Sequence, residues 1–587
     1  MTSHSQKRSR RGAIVVLAAF MLIIMLGMLA FSLDIGMLML TRTQLQTAAD
    51  SAAMAAGGVL GVPGQNSVTT AQQFAGYHKA GGAAVSLAAA DVLNGTWDSS
   101  ARTFTPTGGT VSNAIKVTAR TNSTSGGNKL FFARIFGKST QNMAASAIAM
   151  GNPRDICFVV DLSGSMNDDT STGYGASPTY QSSTYASTYA SMMQQVFTDF
   201  GFGSYPGTTQ KVALQLGSPS WSTLTSASSS PLRNSSFTYN GQNYSISSTY
   251  RILSGDSSST RQTKAYRWII DRQLSGTFAC MAAAKPTPNS ANTASRNYWS
   301  AYIADVISNN GVIGYRSYVT WLMEEGGRDQ TVDSAGSYGQ LSVLSPNCPY
   351  HTESVGGTSF SFPPSEQPTH AERRSAIAGL QVIKTRNQSV SDSNQKDWVS
   401  IVTFDKVAGT TVRLGLTSNY DTAMTSATTM QAVGNNGIST ATETGLIAAY
   451  NLIKPTSEGG TGREHTSKIV ILLTDGVANL KTSSDSTVSS YRTANPSSNF
   501  YGGGSNYPSD AAIMQTDKMR GDRWYVYALA LGLEADYDFM DRMARMGGTA
   551  NDQGEAPHTS GNPSVYETEL TSILTNVITT PQVRLVQ

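Results

Sequence analysis

The sequence predicts an α/β protein built on a doubly wound, mostly parallel sheet with a long insertion, preceded by a transmembrane helix and a small mainly β domain. Three observations carry this. The apolar run Ile156–Val160 stops at Asp161-Leu-Ser163-Gly-Ser165, and the run Ile469–Leu473 stops at Thr474-Asp475-Gly476, more than three hundred residues later. Strand and helix patterns alternate around these runs, as crossover-connected parallel strands require. Residues Ala13–Leu33 form an uncharged apolar stretch of 21, which as a helix spans about 31 Å, one hydrocarbon core.

At 587 residues more than one domain is expected. Charged residues are only 14%, and Gly, Ser, Thr and Tyr are abundant, a balance that suits a loop-rich extracytoplasmic protein. Four of the 42 basic residues lie in Lys7–Arg11; the remainder is nearly neutral and offers no nucleic-acid footprint. Cys157 lies within the first apolar strand as a small hydrophobe. Pairing of Cys280 with Cys348 is left open.

The expected organisation runs from a cytoplasmic basic tail (1–12) through the transmembrane helix (13–33) to a continuing helix (34–62). A β domain (63–150) and the α/β domain (151–580) follow, the latter interrupted by an insertion at 167–370. The basic cluster before the span puts the amino terminus in the cytoplasm and everything after Asp34 outside. Leu45, Ala49, Ala52 and Ala56 recur at helical spacing on a face of small residues, able to pack on a partner helix or on this chain's next domain. In the β domain, Ile115, Val117 and Ala119 alternate with polar residues as a half-buried strand.

The amino-terminal segment resembles the TadE/TadG-like proteins of Flp (Tad) pilus assembly through Arg10-Arg-Gly-Ala, the apolar run, Asp34-Ile-Gly and Thr43-Gln-Leu-Gln-Thr-Ala-Ala-Asp-Ser-Ala-Ala-Met-Ala-Ala. Leu17 stands five residues after Gly12, where processed pilin-like members carry glutamate, so the resemblance implies a permanently anchored TadG-like form.

In the α/β domain, strands are expected at Ile156–Asp161, Trp398–Phe404, Thr411–Leu416, Ile469–Asp475 and Trp524–Leu531. Helices are expected near Ala371–Lys384, Tyr420–Ala432, Thr440–Ile453, Asp510–Met519, Tyr537–Met546 and Tyr566–Val577. Two strand-terminal acids with neighbouring hydroxyls, and no Cys or His beside them, form a hard oxygen set suited to Mg2+, Mn2+ or Ca2+. Such a site belongs at the carboxyl edge of the sheet, where the winding reverses.

Asp161-x-Ser163-x-Ser165, Trp398–Asp405, Thr474-Asp475-Gly476 and Val526–Gly532 together resemble a von Willebrand factor type A domain, the first of them its metal-ion-dependent adhesion site (MIDAS). The resemblance implies that Ser163, Ser165 and a threonine touch a divalent cation, Mg2+ foremost with Mn2+ or Ca2+ as alternatives. Asp161 and Asp475 would act largely through water, and an acidic residue of a protein partner would fill the open position. Counting back from Gly445-Leu446 places the threonine at Thr440, with Ser439 and Thr442 as substitutes.

The insertion leaves and re-enters at the metal-bearing edge and is expected to overhang it, with Asp168, Asp169 or Glu353 as candidate gate acids. Within it, a hairpin turning at Asn240-Gly241, a helix over Tyr298–Ile307 and a strand over Tyr315–Leu322 are expected. No hydrolase, zinc-protease or Walker motif is present, and His351, His370, His465 and His558 lack metal-ligand spacing. The expected function is therefore not enzymatic. It is a membrane-anchored, metal-dependent protein-binding module of the bacterial envelope, held in the inner membrane by one helix and tied to pilus or secretion components in Tad/Flp pilus assembly or anchoring. The alternative is a type A accessory subunit coupled to an ATPase or chelatase-like machine.

Overall fold

The computed structural model describes residues 11–60, 66–98, 102–107, 112, 114–121, 128–151, 153–170, 186–201, 204–205, 211–212, 220–239, 241–274, 303, 313–314, 348–388, 390, 393–432, 439–464, 466–533, 535–559, 565–579 and 583–586. The chain divides into two compact units. One comprises residues 1–153, 386–396 and 579–587, the other 154–385 and 397–578.

In the first unit, helix α1 (Arg11–Gly58) runs unbroken for 48 residues. Its amino-terminal part is apolar and fully exposed, long and apolar enough to cross a membrane. Its carboxyl-terminal part buries Leu45, Ala48, Ala49, Ala52, Ala53 and Ala56 completely. These small side chains pack against β3 (Ala114–Thr121) and β4 (Met143–Gly151) of an antiparallel sheet and against helix α2 (Ser67–Gly76). The small-residue face is thus used by the chain's own next domain. The sheet is completed by β1 (Val92–Asp98), β2 (Thr103–Pro106) and the terminal strand Val583–Leu585, in the order terminal strand, β4, β3, β1, β2. Ile115, Val117 and Ala119 are fully buried, as their alternation requires.

The second unit is built on β5 (Arg154–Asp161), every residue of which is buried. Parallel neighbours β8 (Trp398–Phe404) and β10 (Ser467–Thr474) flank it; β9 (Thr411–Thr417) adds an antiparallel edge and β11 (Tyr525–Ala530) a parallel one, giving the order β9-β8-β5-β10-β11. Strands buried on both faces read as continuous apolar runs, and β5 feeds two cores. Ile156, Phe158 and Val160 face one with helices Thr369–Asn387, Tyr420–Thr428 and Tyr566–Thr579. Cys157 and Val159 face the other with helices Thr442–Ile453, Asp485–Ala494, Tyr507–Gly521 and Tyr537–Gly547. The helix Asp485–Ala494 was not expected from the sequence. Its apolar spacing is sparse, with Val488 the one buried residue.

Of the insertion, the expected hairpin forms between Ser236–Tyr239 and Gln242–Ser245, with Tyr239 opposite Gln242. A second hairpin pairs β6 (His351–Val355) with β7 (Thr358–Phe362). The expected helix 298–307 and strand 315–322 lie outside the described residues except for 303, as does Cys280.

Candidate metal centre

The crevice between β5 and β10 lies where the chain, having wound one way from β5 through β8 to β9, returns to the other side of β5. Val160 pairs with Leu473, so Asp161 and Thr474 end side by side and Asp475 follows into the crevice. Asp161 is fully buried. Its Oδ1 accepts the Ser163 backbone N–H at 2.8 Å and its Oδ2 the Thr474 hydroxyl at 2.5 Å. The Ser163 and Ser165 hydroxyls lie 3.0 Å apart, and Ser165 Oγ donates to Asp475 Oδ1 at 2.8 Å.

Thr440 joins them through the loop after β10. Its backbone N–H donates to Asn479 Oδ1 at 2.8 Å, and its carbonyl accepts the Asn479 N–H at 3.0 Å. A Cβ placed on Gly476 would lie in ordinary van der Waals contact with Thr440 Oγ1 at 3.4 Å and Ser165 Oγ at 3.5 Å, so both hydroxyls stand beside the same glycine. All five sequence-selected residues, Asp161, Ser163, Ser165, Thr440 and Asp475, are therefore brought to one edge. Helix Thr442–Ile453 begins two residues after Thr440, and Thr442 Oγ1 is buried without a hydrogen-bond partner.

Sequence reasoning missed an acid. Glu372, in the first turn of the Thr369–Asn387 helix, is fully buried and neither carboxylate oxygen has a hydrogen-bond partner. Burial, followed by the charges of Asp161 and Asp475, drives its carboxyl well above the usual range. The same causes act on the pair: burial raises Asp161, to about 6, against hydrogen bonds from Thr474 and Ser163, while burial and then the charge of Asp161 raise Asp475. Among the described residues no Lys or Arg forms an ion pair with any of these three acids. A buried, unpaired carboxylate is costly unless protonated or met by a cation. Three of them with three convergent hydroxyls fit a hard divalent ion, which is the fit expected of the donor set.

Of the candidate gate acids, Asp168 and Asp169 act electrostatically on Asp475, and Asp169 Oδ2 accepts the Tyr566 hydroxyl at 2.9 Å. Glu353 is used elsewhere. Its Oε1 lies 2.6 Å from His351 Nε2 and 3.2 Å from His370 Nε2, and its Oε2 meets Arg374. His351 and His370 thus share a carboxylate despite lacking ligand spacing in sequence, because the β6–β7 hairpin folds back on the helix that begins at Thr369. The three ligand-type atoms lie within 4.8 Å of one another. A metal at His370 Nε2 is opposed by Arg373, whose guanidinium lies 3.2 Å from His370 Nδ1. Arginine only donates, so Nδ1 must accept and Nε2 must carry the proton given to Glu353. The cluster is a hydrogen-bonded clamp on the hairpin.

The ends of the insertion are stitched beside the site. Thr369 Oγ1 donates to the Met166 carbonyl at 2.5 Å, and the Gln367 N–H donates to Thr170 Oγ1 at 3.0 Å.

A doubly wound sheet with these residues at its switch point defines the class as a von Willebrand factor type A domain, whose family model matches residues 370–477. The Flp pilus-assembly TadE/G-like model matches residues 12–61, and the Tad-like Flp pilus-assembly model residues 41–149. An amino-terminal Tad segment followed by a type A domain is the arrangement of a TadG-like Flp (Tad) pilus-assembly protein, and the three family models match this chain in that order.

Solved structures similar to it include the von Willebrand factor domain of the type V pili tip protein Mfa5 from Porphyromonas gingivalis, at 12% identity over 36% of this chain and 90% of that one, TM-score 0.25. A mutant of the PilB minor pilin from Streptococcus sanguinis matches at 14% identity over 36% and 55%, TM-score 0.25. Proximal thread matrix protein 1 from the mussel byssus, with a zinc-occupied MIDAS motif, matches at 16% identity over 35% of this chain, TM-score 0.24. This chain spans 42% of that protein's length. No curated protein matches the sequence.

Proposed function

We propose that this protein is a membrane-anchored, metal-dependent protein-binding module of the bacterial cell envelope, acting in Tad/Flp pilus assembly or anchoring. One observation carries the reading: three hydroxyls and three buried acids converge at the switch point of the sheet, with no Lys or Arg among the described residues paired to the acids. Ser163, Ser165 and Thr440 would hold a divalent ion, Mg2+ foremost and Mn2+ or Ca2+ as alternatives, with Asp161 and Asp475 balancing its charge. The bound ion supplies an electrophile for an external carboxylate, so the partner is a protein offering an acidic residue.

In this reading α1 anchors the module in the inner membrane with the amino terminus inside and both units outside; the support is the basic cluster Lys7–Arg11 before the exposed apolar helix. Thermal unfolding of the purified chain in chelator and in each metal tests the site. A rise in midpoint with Mg2+, Mn2+ or Ca2+ that disappears in Asp161→Asn is expected. Equal midpoints in chelator and in all three metals would remove the reading.

A further inference from the structure

Asp34 ends the uncharged part of α1, and its carboxylate is buried against three backbone amides from a segment nearly a hundred residues later. The Phe131 N–H donates to Oδ1 at 2.8 Å, and those of Phe132 and Ala133 donate to Oδ2 at 3.1 and 2.7 Å. These amides open a short 3-10 turn, Ala133–Phe136, closed by Gly137 at φ 83°. The turn is fixed in height: with about 1.5 Å of rise per residue, a span beginning at Ala13 puts Asp34 about 31 Å along the helix, at the far boundary of the hydrocarbon.

What the turn displays is unusual for a soluble surface. Phe131 is 63% exposed, Phe132 38% and Ile135 78%, while Lys129, Arg134 and Lys138 beside them are exposed as well. The lipid-facing surface of α1 does not stop at Asp34 either, since Met39 and Leu40 are 67% and 51% exposed. The apolar band therefore reaches about 9 Å past Asp34. A carboxylate inside such a band is tolerable only with its charge met, and the three amides meet it. Irregular backbone is excluded from the hydrocarbon core but not from the interface, where amphipathic segments with apolar and basic side chains lie.

We propose that residues 129–138 form a second membrane contact. Phe131, Phe132 and Ile135 insert into the interfacial layer of the leaflet from which α1 emerges, and Lys129, Arg134 and Lys138 meet lipid phosphates. The occupant of this patch is the lipid bilayer. The proposal rests on α1 spanning the membrane, and it adds a fixed rotation of the first unit about the helix axis.

The test uses the full-length protein in proteoliposomes, with an environment-sensitive fluorescent amino acid encoded at Ile135 or, separately, at Leu22 in mid-span, and bromine-labelled phosphatidylcholine as quencher. Strong quenching at both positions is expected, with that at Ile135 favouring bromines near the headgroup and that at Leu22 favouring bromines deep in the chain. Quenching at Leu22 with none at Ile135 overturns the wedge and leaves the spanning helix standing; a protein covering the patch, including a second copy, would give this result. No quenching at either position overturns the spanning helix and the wedge with it. Charge reversal in Lys129→Glu/Lys138→Glu, at exposed positions outside the core, is expected to reduce the Ile135 signal in vesicles containing phosphatidylglycerol. An unchanged signal there overturns the phosphate contact.

Discussion

Ser165 Oγ donates to Asp475 at 2.8 Å across 310 residues of chain. That single bond joins the loop after the central strand to the loop after its neighbour, and every expectation for the site follows from the charges it leaves around it.

Asp161 is a buried acid whose carboxyl is raised by burial to about 6. A raised folded-state value means that the native chain holds the proton more tightly than the unfolded one. In chelator, the contribution of this group is therefore full below about pH 4 and is lost as pH rises toward 6, amounting to about 3 kcal/mol at most. Because Asp161 and Asp475 titrate together, the loss belongs to the pair. Chemical denaturation from pH 4 to 7 in chelator should show declining stability. Saturating divalent ion should flatten the decline, as should Asp161→Asn.

Glu372→Gln keeps the shape of the side chain and removes a carboxyl that burial and the charges of Asp161 and Asp475 hold well above its usual range. In chelator at pH 7 it should stabilise the domain by about 1–2 kcal/mol, and its response to added Mg2+ should be smaller than that of the parent chain. A destabilised variant with an undiminished metal response would show that Glu372 has no part in the charge balance of the site.

The clamp on the β6–β7 hairpin has the opposite pH sense. Burial first, then the neighbouring Arg373, pulls His370 down to about 4 against its bond to Glu353. A folded value below the unfolded one gives stability that is present above about pH 6.5 and lost as pH falls toward 4. Hydrogen exchange across 351–362 should accelerate over that range in the parent chain, and His370→Gln should lose the pH dependence.

At the other end of the sheet, Arg154 lies buried with its Nη2 2.6 Å from Asp397 Oδ2, and its Nη1 donates to the Ile578 carbonyl. Arg154→Met would strand Asp397 without its cation and should destabilise the domain by about 3–5 kcal/mol. Equilibrium unfolding would measure it. Metal affinity should change little, because the pair sits at the amino-terminal edge of β5.

The strands and the five oxygen-bearing residues of the site were legible because a strand buried on both faces writes itself as an unbroken apolar run, and because Asp161, Ser163 and Ser165 are adjacent in sequence. Glu372 was not legible. It stands in a polar helix start, Thr369-His-Ala-Glu-Arg-Arg, that reads as a solvated first turn, and only the tertiary fold reveals it as buried. The joining of His351 and His370 through Glu353 was hidden for a related reason: a hairpin, not a local spacing, brings them together. The small-residue face of α1 was legible as a packing surface, but the choice between a partner helix and the chain's own sheet lies in tertiary contacts.

The placement of β5 has a bearing on biosynthesis. Arg154 and Asp397 bond across 243 residues, and Asp161 and Thr474 across 313. At about 5–20 residues per second, the central strand is made roughly 10–50 s before its first sheet partner. Throughout that interval the fully buried central strand has no neighbour to pair with, so the sheet cannot close until β8 and β10 have been made. Delayed closure leaves the apolar side chains of β5 uncovered for the whole of that interval, when they are open to aggregation.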